Sequence, residues 1–269
     1  MMFGLQNAAQ TCERFVDEIT RGLDFVFAYI DHFLIASETE EQHHEHLRIL
    51  FERLNDYGVV INPVKCEFGV NEITILGYTV NANGIKPLAE RVDAIVEVPL
   101  PETLKALRKY LGMVNFYWRF IPGAAKIFQP LNDLLKGGKK GNAPIGWSEK
   151  SEASFRESKR ALANATMLAH PIPGVPVSLA VDTSNYALGA VLQQRVNVSW
   201  QPLGFLTKSL HSAQRKYSKY DHELLAIYTA VKRFRHAIEG RNFVIFTDHK
   251  PLTYMFNQNP DKCSLRQFR

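Results

Sequence analysis

The stretch VSLAVDTSNYALGAVLQQ, residues 177–194, alternates with a period of two. Val177, Leu179 and Val181 fall on one face of an extended chain, and Ser178, Ala180 and Asp182 on the other. Such alternation predicts a strand with one face turned to a core. Asp182 comes near its end, and the small residues around it leave that face open. Downstream, SWQPLGFLTKSL suggests another strand pair. A helix is expected over about 214–239, with Leu224, Ile227, Tyr228, Val231, Phe234 and Ile238 on one stripe and Gly240 at its end. Glu223 lies in its first half. NFVIFTDHKPL then reads as a buried strand ending in Asp248 and stopped by Pro251. Strand, helix and parallel strand form a right-handed crossover, so both strands join one sheet and three acids can meet at one edge. Clustered carboxylates repel one another unless a divalent cation neutralises them, and hard oxygen ligands suit Mg²⁺. Two such ions, about 3.5–4 Å apart, can activate a water against a phosphodiester. Each acid taken singly also fits a solvated strand or helix end.

Upstream, HPIPGVP (170–176) reads as a linker, and SEKSEASFRESKRALANA as an amphipathic helix. KGGKKGN (136–142) is a basic loop. Helix is expected from about 88 to 136, punctuated by Pro99, Pro101, Pro122 and Pro130. Within it Lys105, Arg108, Lys109 and Arg119 interleave with Tyr110, Phe116, Tyr117 and Trp118. NANG (81–84) is a turn signal, preceded by three strand-like runs, GVVIN, KCEFGV and EITILGYTV. A helix over 37–58 opens with a Ser37–Glu40 capping-box pattern and carries Leu47, Leu50, Phe51 and Leu54 at helical spacing. FAYIDHFLIAS (27–37) predicts two well-buried strands with Asp31 and His32 at the tip between them. His43, His44 and His46 sit on the polar side of the following helix and lack the convergence of a zinc site.

At 269 residues, the chain has room for about two domains at a rough ~150 residues each. Hydrophobic residues make up 46% and charged residues 22%, ordinary globular values. There is no apolar run of transmembrane length, so no membrane partner is expected. The N-terminus lacks the pattern of a secretory signal. Three scattered cysteines, Cys12, Cys66 and Cys263, argue against a disulfide framework and for a reducing compartment. A net charge of +5 admits a polyanionic partner without requiring one.

LAVDTSNYALGAVLQQ, YSKYDHELLAIYTAVKRFRHAIEG and FTDHKPLTYM resemble the ribonuclease H domain of gypsy-type long-terminal-repeat retrotransposon Pol polyproteins. FGLQNA, FAYIDHFLIAS, NPVKCEFGVNEITILGYTV and LGMVNFYWRFIP resemble the reverse transcriptase of the same polyproteins, and the motifs run in the family's order. The resemblance implies an α/β chain in three parts. Residues 1–87 would be the C-terminal part of an α+β palm, 88–170 a helical thumb and connection, and 171–269 an incomplete ribonuclease H-like α/β domain. It implies an enzyme family of RNA-directed DNA polymerases and ribonucleases H that uses Mg²⁺ or Mn²⁺.

Asp182, Glu223 and Asp248 match three of the family's four ribonuclease acids; the fourth would follow Arg269. Phe3, Gly4, Gln6 and Asn7 match the segment lining the incoming nucleotide and template. Leu76, Gly77 and Tyr78 fall on the hairpin that positions the primer end. Lys105, Arg108, Lys109 and Arg119 would meet duplex phosphates. Read from the residues alone, Lys232, Arg233 and Arg235, with Arg215, Lys216 and Lys219 on or beside the same helix, fit either a solvated helix face or contact with hybrid phosphates. At the hairpin tip the family has Tyr-x-Asp-Asp. Tyr29, Ile30 and Asp31 match, but His32 replaces the second acid, and the remaining palm acid would precede Met1. Asp31 is thus expected to be an isolated metal ligand, with DNA synthesis lost and hybrid cleavage in doubt. The expected partners are primer–template nucleic acid, RNA–DNA hybrid and other Pol segments, in the cytoplasm (virus-like particle) or nucleus rather than outside the cell. The alternatives are a non-catalytic nucleic-acid-binding remnant of a degenerate element, or a relic that folds poorly.

Overall fold

The computed structural model describes residues 7–137 and 141–252. The chain divides into two compact units, 1–71 and 72–269.

In the first unit, α1 (Ala8–Thr20) is followed by the antiparallel hairpin of β1 (Val26–Tyr29) and β2 (His32–Ile35), then α2 (Glu40–Asp56). Ile19, Leu23, Leu50 and Leu54 form its core. The hairpin is less buried than its apolar composition suggests: Phe27 and Tyr29 are exposed. The N-cap is Thr39, two residues later than the Ser37 pattern. Thr39 Oγ1 accepts from Gln42 N, and Gln42 Oε1 accepts from Glu38 N. Ser37 Oγ instead lies 3.1 Å from His43 Nδ1 and 2.9 Å from His46 Nδ1. The runs GVVIN and KCEFGV form no strands. Val60 in the first run, and Val64 between the two, are almost fully exposed, so their β-branching has nothing to pack against.

The second unit begins with a three-stranded antiparallel sheet of β3 (Glu72–Ile75), β4 (Tyr78–Asn81) and β5 (Gly84–Pro87). The expected helical stretch breaks at Pro99, Pro101 and Pro122. It becomes α3 (Ala89–Val96), α4 (Leu104–Asn115), a short 3₁₀ turn at Trp118–Phe120, and α5 (Ala124–Leu134). Pro130 is tolerated inside α5. Then comes α6 (Glu149–Ala163), capped by Ser148. Leu107, Tyr110, Val114, Phe120, Phe128 and Leu162 lose all or nearly all solvent contact in one core. Burying such a side chain contributes about 1.5–3 kcal/mol each.

The remaining chain builds a four-stranded sheet ordered β8-β7-β6-β9, from β6 (Val177–Thr183), β7 (Ala187–Val196), β8 (Ser199–Ser209) and β9 (Phe243–Phe246), with helix α7 (Lys219–Ile238) against it. Ser218 caps α7, later than the expected start at 214, because residues 214–216 form a separate 3₁₀ turn. Val177, Leu179, Val181, Leu192, Ala226, Ile227, Ala230 and Phe234 form its core. Tyr228 lies outside that stripe and is exposed. β9 is half-exposed and stops at Phe246, so Asp248 stands beyond its end.

The proline-rich segment near 170 is more than a linker. Leu168 pairs with Ile85 in both directions. His170 Nε2 lies 2.7 Å from the Asn81 carbonyl oxygen. Gln194, 1% exposed, accepts from Ile172 N and donates to the His170 carbonyl. Ala169 N donates to Pro202 O. Residues 168–172 are thus hydrogen-bonded to the small sheet on one side and to β7 and β8 on the other.

Candidate active site and nucleic-acid interface

β6 and β9 are parallel, with Val177 opposite Phe243 and Ala180 opposite Phe246. Two further residues along the same register set Asp182 level with Asp248. Both carboxylates are exposed. Glu223, in the second turn of α7, is 5% exposed. Its Oε1 accepts from Thr183 Oγ1 at 2.5 Å and its Oε2 from Thr247 Oγ1 at 3.4 Å. Thr183 adjoins Asp182, and Thr247 adjoins Asp248. The structure therefore gathers the three acids at one end of one sheet. The pleat decides which side chains touch: alternate residues Val181 and Thr183 face α7, and so do Ile245 and Thr247. Thr183 and Thr247 were not among the residues singled out from sequence, since nothing in their local pattern marks them.

The turn between β6 and β7 is tightly built. Ser184 N donates to Ala187 O, while Tyr186 N and Ala187 N donate to Ser184 Oγ. Arg215 lies over the Tyr186 ring, 5.4 Å from its centroid, at this same end of the sheet. Lys232, Arg233 and Arg235 are exposed on α7, but more than two turns beyond Glu223. Arg235 is paired with Glu239 at 2.6 Å.

The donor set of three carboxylates is all hard oxygen and fits a divalent cation in kind. Among the described residues, no three His, Cys, Asp or Glu already stand around one point as metal ligands. Asp31 belongs to the first unit. It is exposed at the hairpin tip, and His32 Nδ1 lies 2.8 Å from its Oδ1. A carboxylate only accepts, so Nδ1 carries the hydrogen. Ile30 beside it has φ 53, a left-handed conformation unusual for a β-branched residue. Glu13 in α1 accepts from Ile30 N at 3.0 Å and steadies the turn.

A second surface runs along α4. Leu104, Leu107, Tyr110, Leu111 and Val114 are buried, which leaves Lys105, Arg108, Lys109, Gly112 and Phe116 exposed along the other side. Of the aromatics there, Tyr110 and Tyr117 are core and Phe116 is half-exposed. Phe116 stacks on Tyr78, with ring centroids 5.1 Å apart. Tyr117 Oη donates to Gly77 O at 3.4 Å. The Leu76–Gly77 turn, both residues at positive φ, is thereby fastened to the end of α4. Arg119 is exposed and lies over the Phe120 ring. Asn7 precedes α1 and is exposed. Phe3, Gly4 and Gln6 lie outside the described residues.

Two family models match the chain. Residues 1–80 match the reverse transcriptase (RNA-dependent DNA polymerase) family. Residues 147–245 match the RNase H-like domain found in reverse transcriptase. The fold is similar to that of the foamy viral protease-reverse transcriptase. The complex of that protein with dsDNA aligns at TM-score 0.82 and 20% identity, covering 100% of this chain and 56% of the viral one. Its complex with an RNA/DNA hybrid aligns at the same TM-score over 36% of that chain. The class is thus a reverse transcriptase segment joined to an RNase H-like domain.

Among whole-chain relatives, the Pol polyprotein from transposon 297 of Drosophila melanogaster is 35% identical over 100% of this chain and 25% of its own length. That from transposon opus of the same organism is 31% identical over 99% of this chain and 28% of its own. The transposon Tf2-7 polyprotein of Schizosaccharomyces pombe is 31% identical over 94% and 19%. The chain belongs to the retrotransposon Pol polyprotein family. It spans about a quarter of the length of the Drosophila relatives it matches.

Proposed function

We propose that this chain binds RNA–DNA hybrid and cleaves its RNA strand at the edge carrying Asp182, Glu223 and Asp248. The observation that carries this reading is the buried Glu223 carboxylate, held by residues adjoining the other two acids. Three carboxylates on neighbouring strand ends and a facing helix suit Mg²⁺ or Mn²⁺. When bound, such an ion supplies an activated water and neutralises the leaving oxygen. Glu223 contributes a fixed carboxylate, and Asp182 and Asp248 contribute exposed carboxylates at the same end of the sheet. Arg215, on the Tyr186 ring, offers a phosphate contact at the same edge.

The α4 surface is the proposed duplex contact. Lys105, Arg108 and Lys109 supply phosphate-binding charge, and Gly112 has no neighbouring atom within 4 Å of where a Cβ would stand. A glycine inside a helix costs about 0.5–1 kcal/mol relative to alanine, so a bare, exposed one favours close approach of a partner backbone. Residues 1–87 would act as palm and 88–170 as thumb and connection, with Leu76, Gly77 and Tyr78 toward the primer end. DNA synthesis is proposed to be lost, because His32 stands in place of an acid and engages Asp31. Primer extension above background would contradict this. The location would be cytoplasmic particles or the nucleus, beside other Pol segments.

The test is cleavage of a labelled RNA–DNA hybrid in Mg²⁺ by the purified chain. Cleavage that disappears with Asp182→Asn is expected. No cleavage by a chain shown to be folded would contradict the reading.

A further inference from the structure

Glu223 poses a physical problem that Asp182 and Asp248 do not. A carboxylate at 5% exposure is expensive to bury unless donors compensate it. Among the described residues its hydrogen-bond donors are the Thr183 and Thr247 hydroxyls, neither of them a cation. Both threonines meet α7, Thr183 from the end of β6 and Thr247 from just past the end of β9, each next to one of the other acids. Each carboxylate oxygen has a second lone-pair direction. One hydroxyl on each oxygen therefore fixes the rotation of the group and leaves each oxygen free to accept again.

We propose that Thr183 and Thr247 are positioning residues, which hold the Glu223 carboxylate in the orientation that shares a divalent cation with Asp182 and Asp248. The proposal rests on the ribonuclease reading of this edge. Thr183, at 2.5 Å, carries most of the effect, and Thr247, at 3.4 Å, carries less. Removing an outer hydrogen-bond partner of a metal ligand typically lowers metal affinity by about 10–100-fold. A purely structural role would look different. Thr and Val are both β-branched and suit a strand equally, so Thr→Val removes the hydroxyl and little else.

The experiment uses the full chain and its Thr183→Val, Thr247→Val, Thr183→Ser and Glu223→Gln variants. One readout is the Mg²⁺-dependent rise in Tm without nucleic acid, which reports binding to the folded state. The other is the Mg²⁺ dependence of hybrid cleavage. Thr183→Val should raise the half-effective Mg²⁺ concentration about tenfold or more in both readouts, in line with known outer-partner effects. Thr247→Val should raise it less, and Thr183→Ser should restore the wild-type value.

A wild-type Mg²⁺ response in Thr183→Val overturns the proposal. If Glu223→Gln still abolishes that response, the ribonuclease reading survives it. A Mg²⁺ response that persists in Glu223→Gln, or is absent from the wild type, overturns both. Should Thr183→Val fail to fold, the same readings on Thr183→Ala decide.

Discussion

At the level of single residues, Gly84 shows how a distant contact dictates an amino acid. Its φ is 150, and a Cβ there would lie 2.2 Å from the Leu168 carbonyl oxygen. No side chain fits without separating β5 from the 168–172 strap. Gly84→Ala is therefore expected to destabilise the second unit by at least about 2 kcal/mol, seen as a lower urea midpoint. An unchanged midpoint would show that the strap is loosely held. Tyr110 is a second case. It is fully buried, and its hydroxyl lies 2.5 Å from Ser158 Oγ. Burial pushes its phenol above the ordinary value, outweighing the Ser158 hydrogen bond. The folded state thus keeps the proton at a pH where an unfolded tyrosine, at about 10, has lost it. The stabilisation is complete below that pH and is lost as pH rises through the folded value. Stability should fall with a slope of up to about 1.4 kcal/mol per pH unit for this group. Tyr110→Phe should flatten the alkaline limb of a denaturation series, and an unchanged limb would contradict the assignment.

At the level of elements, the sequence was most readable where one period ran uninterrupted. The alternation of 177–183 and the apolar stripes of α2 and α7 each became the expected element. The hairpin around Asp31 and the NANG turn did too. The reading failed where the answer lay in another part of the chain. GVVIN and KCEFGV have strand-like composition but no pairing partner, and a strand needs one. HPIPGVP has linker composition, yet the residues around its start are bonded to Asn81, Ile85, Gln194 and Pro202. The candidate site divides in the same way. The acids were visible as residue types at the expected places, whereas Thr183 and Thr247 acquire meaning only once α7 lies across the pleat. On α4, the exposed Lys105, Arg108 and Lys109 yield a salt prediction. Each change to Ala should lower the slope of log affinity against log salt by about 0.9 for a duplex, measured by fluorescence anisotropy. Unaltered slopes would remove α4 from the interface.

At the level of the whole molecule, no helix among the described residues is long and apolar enough to cross a membrane. The second unit carries a basic helix face, a strapped pair of sheets and one acidic edge, where Asp182, Glu223 and Asp248 are proposed to work together. The most direct test is single-turnover cleavage of a 5′-labelled RNA–DNA hybrid by the wild type, Asp182→Asn, Glu223→Gln and Asp248→Asn, each shown to be folded. Groups that act as a unit lose activity to a similar, non-additive extent. The account predicts Mg²⁺-dependent cleavage by the wild type and a fall of at least about a hundredfold in every single variant, with double variants no worse. Cleavage that persists in any one of the three would contradict it.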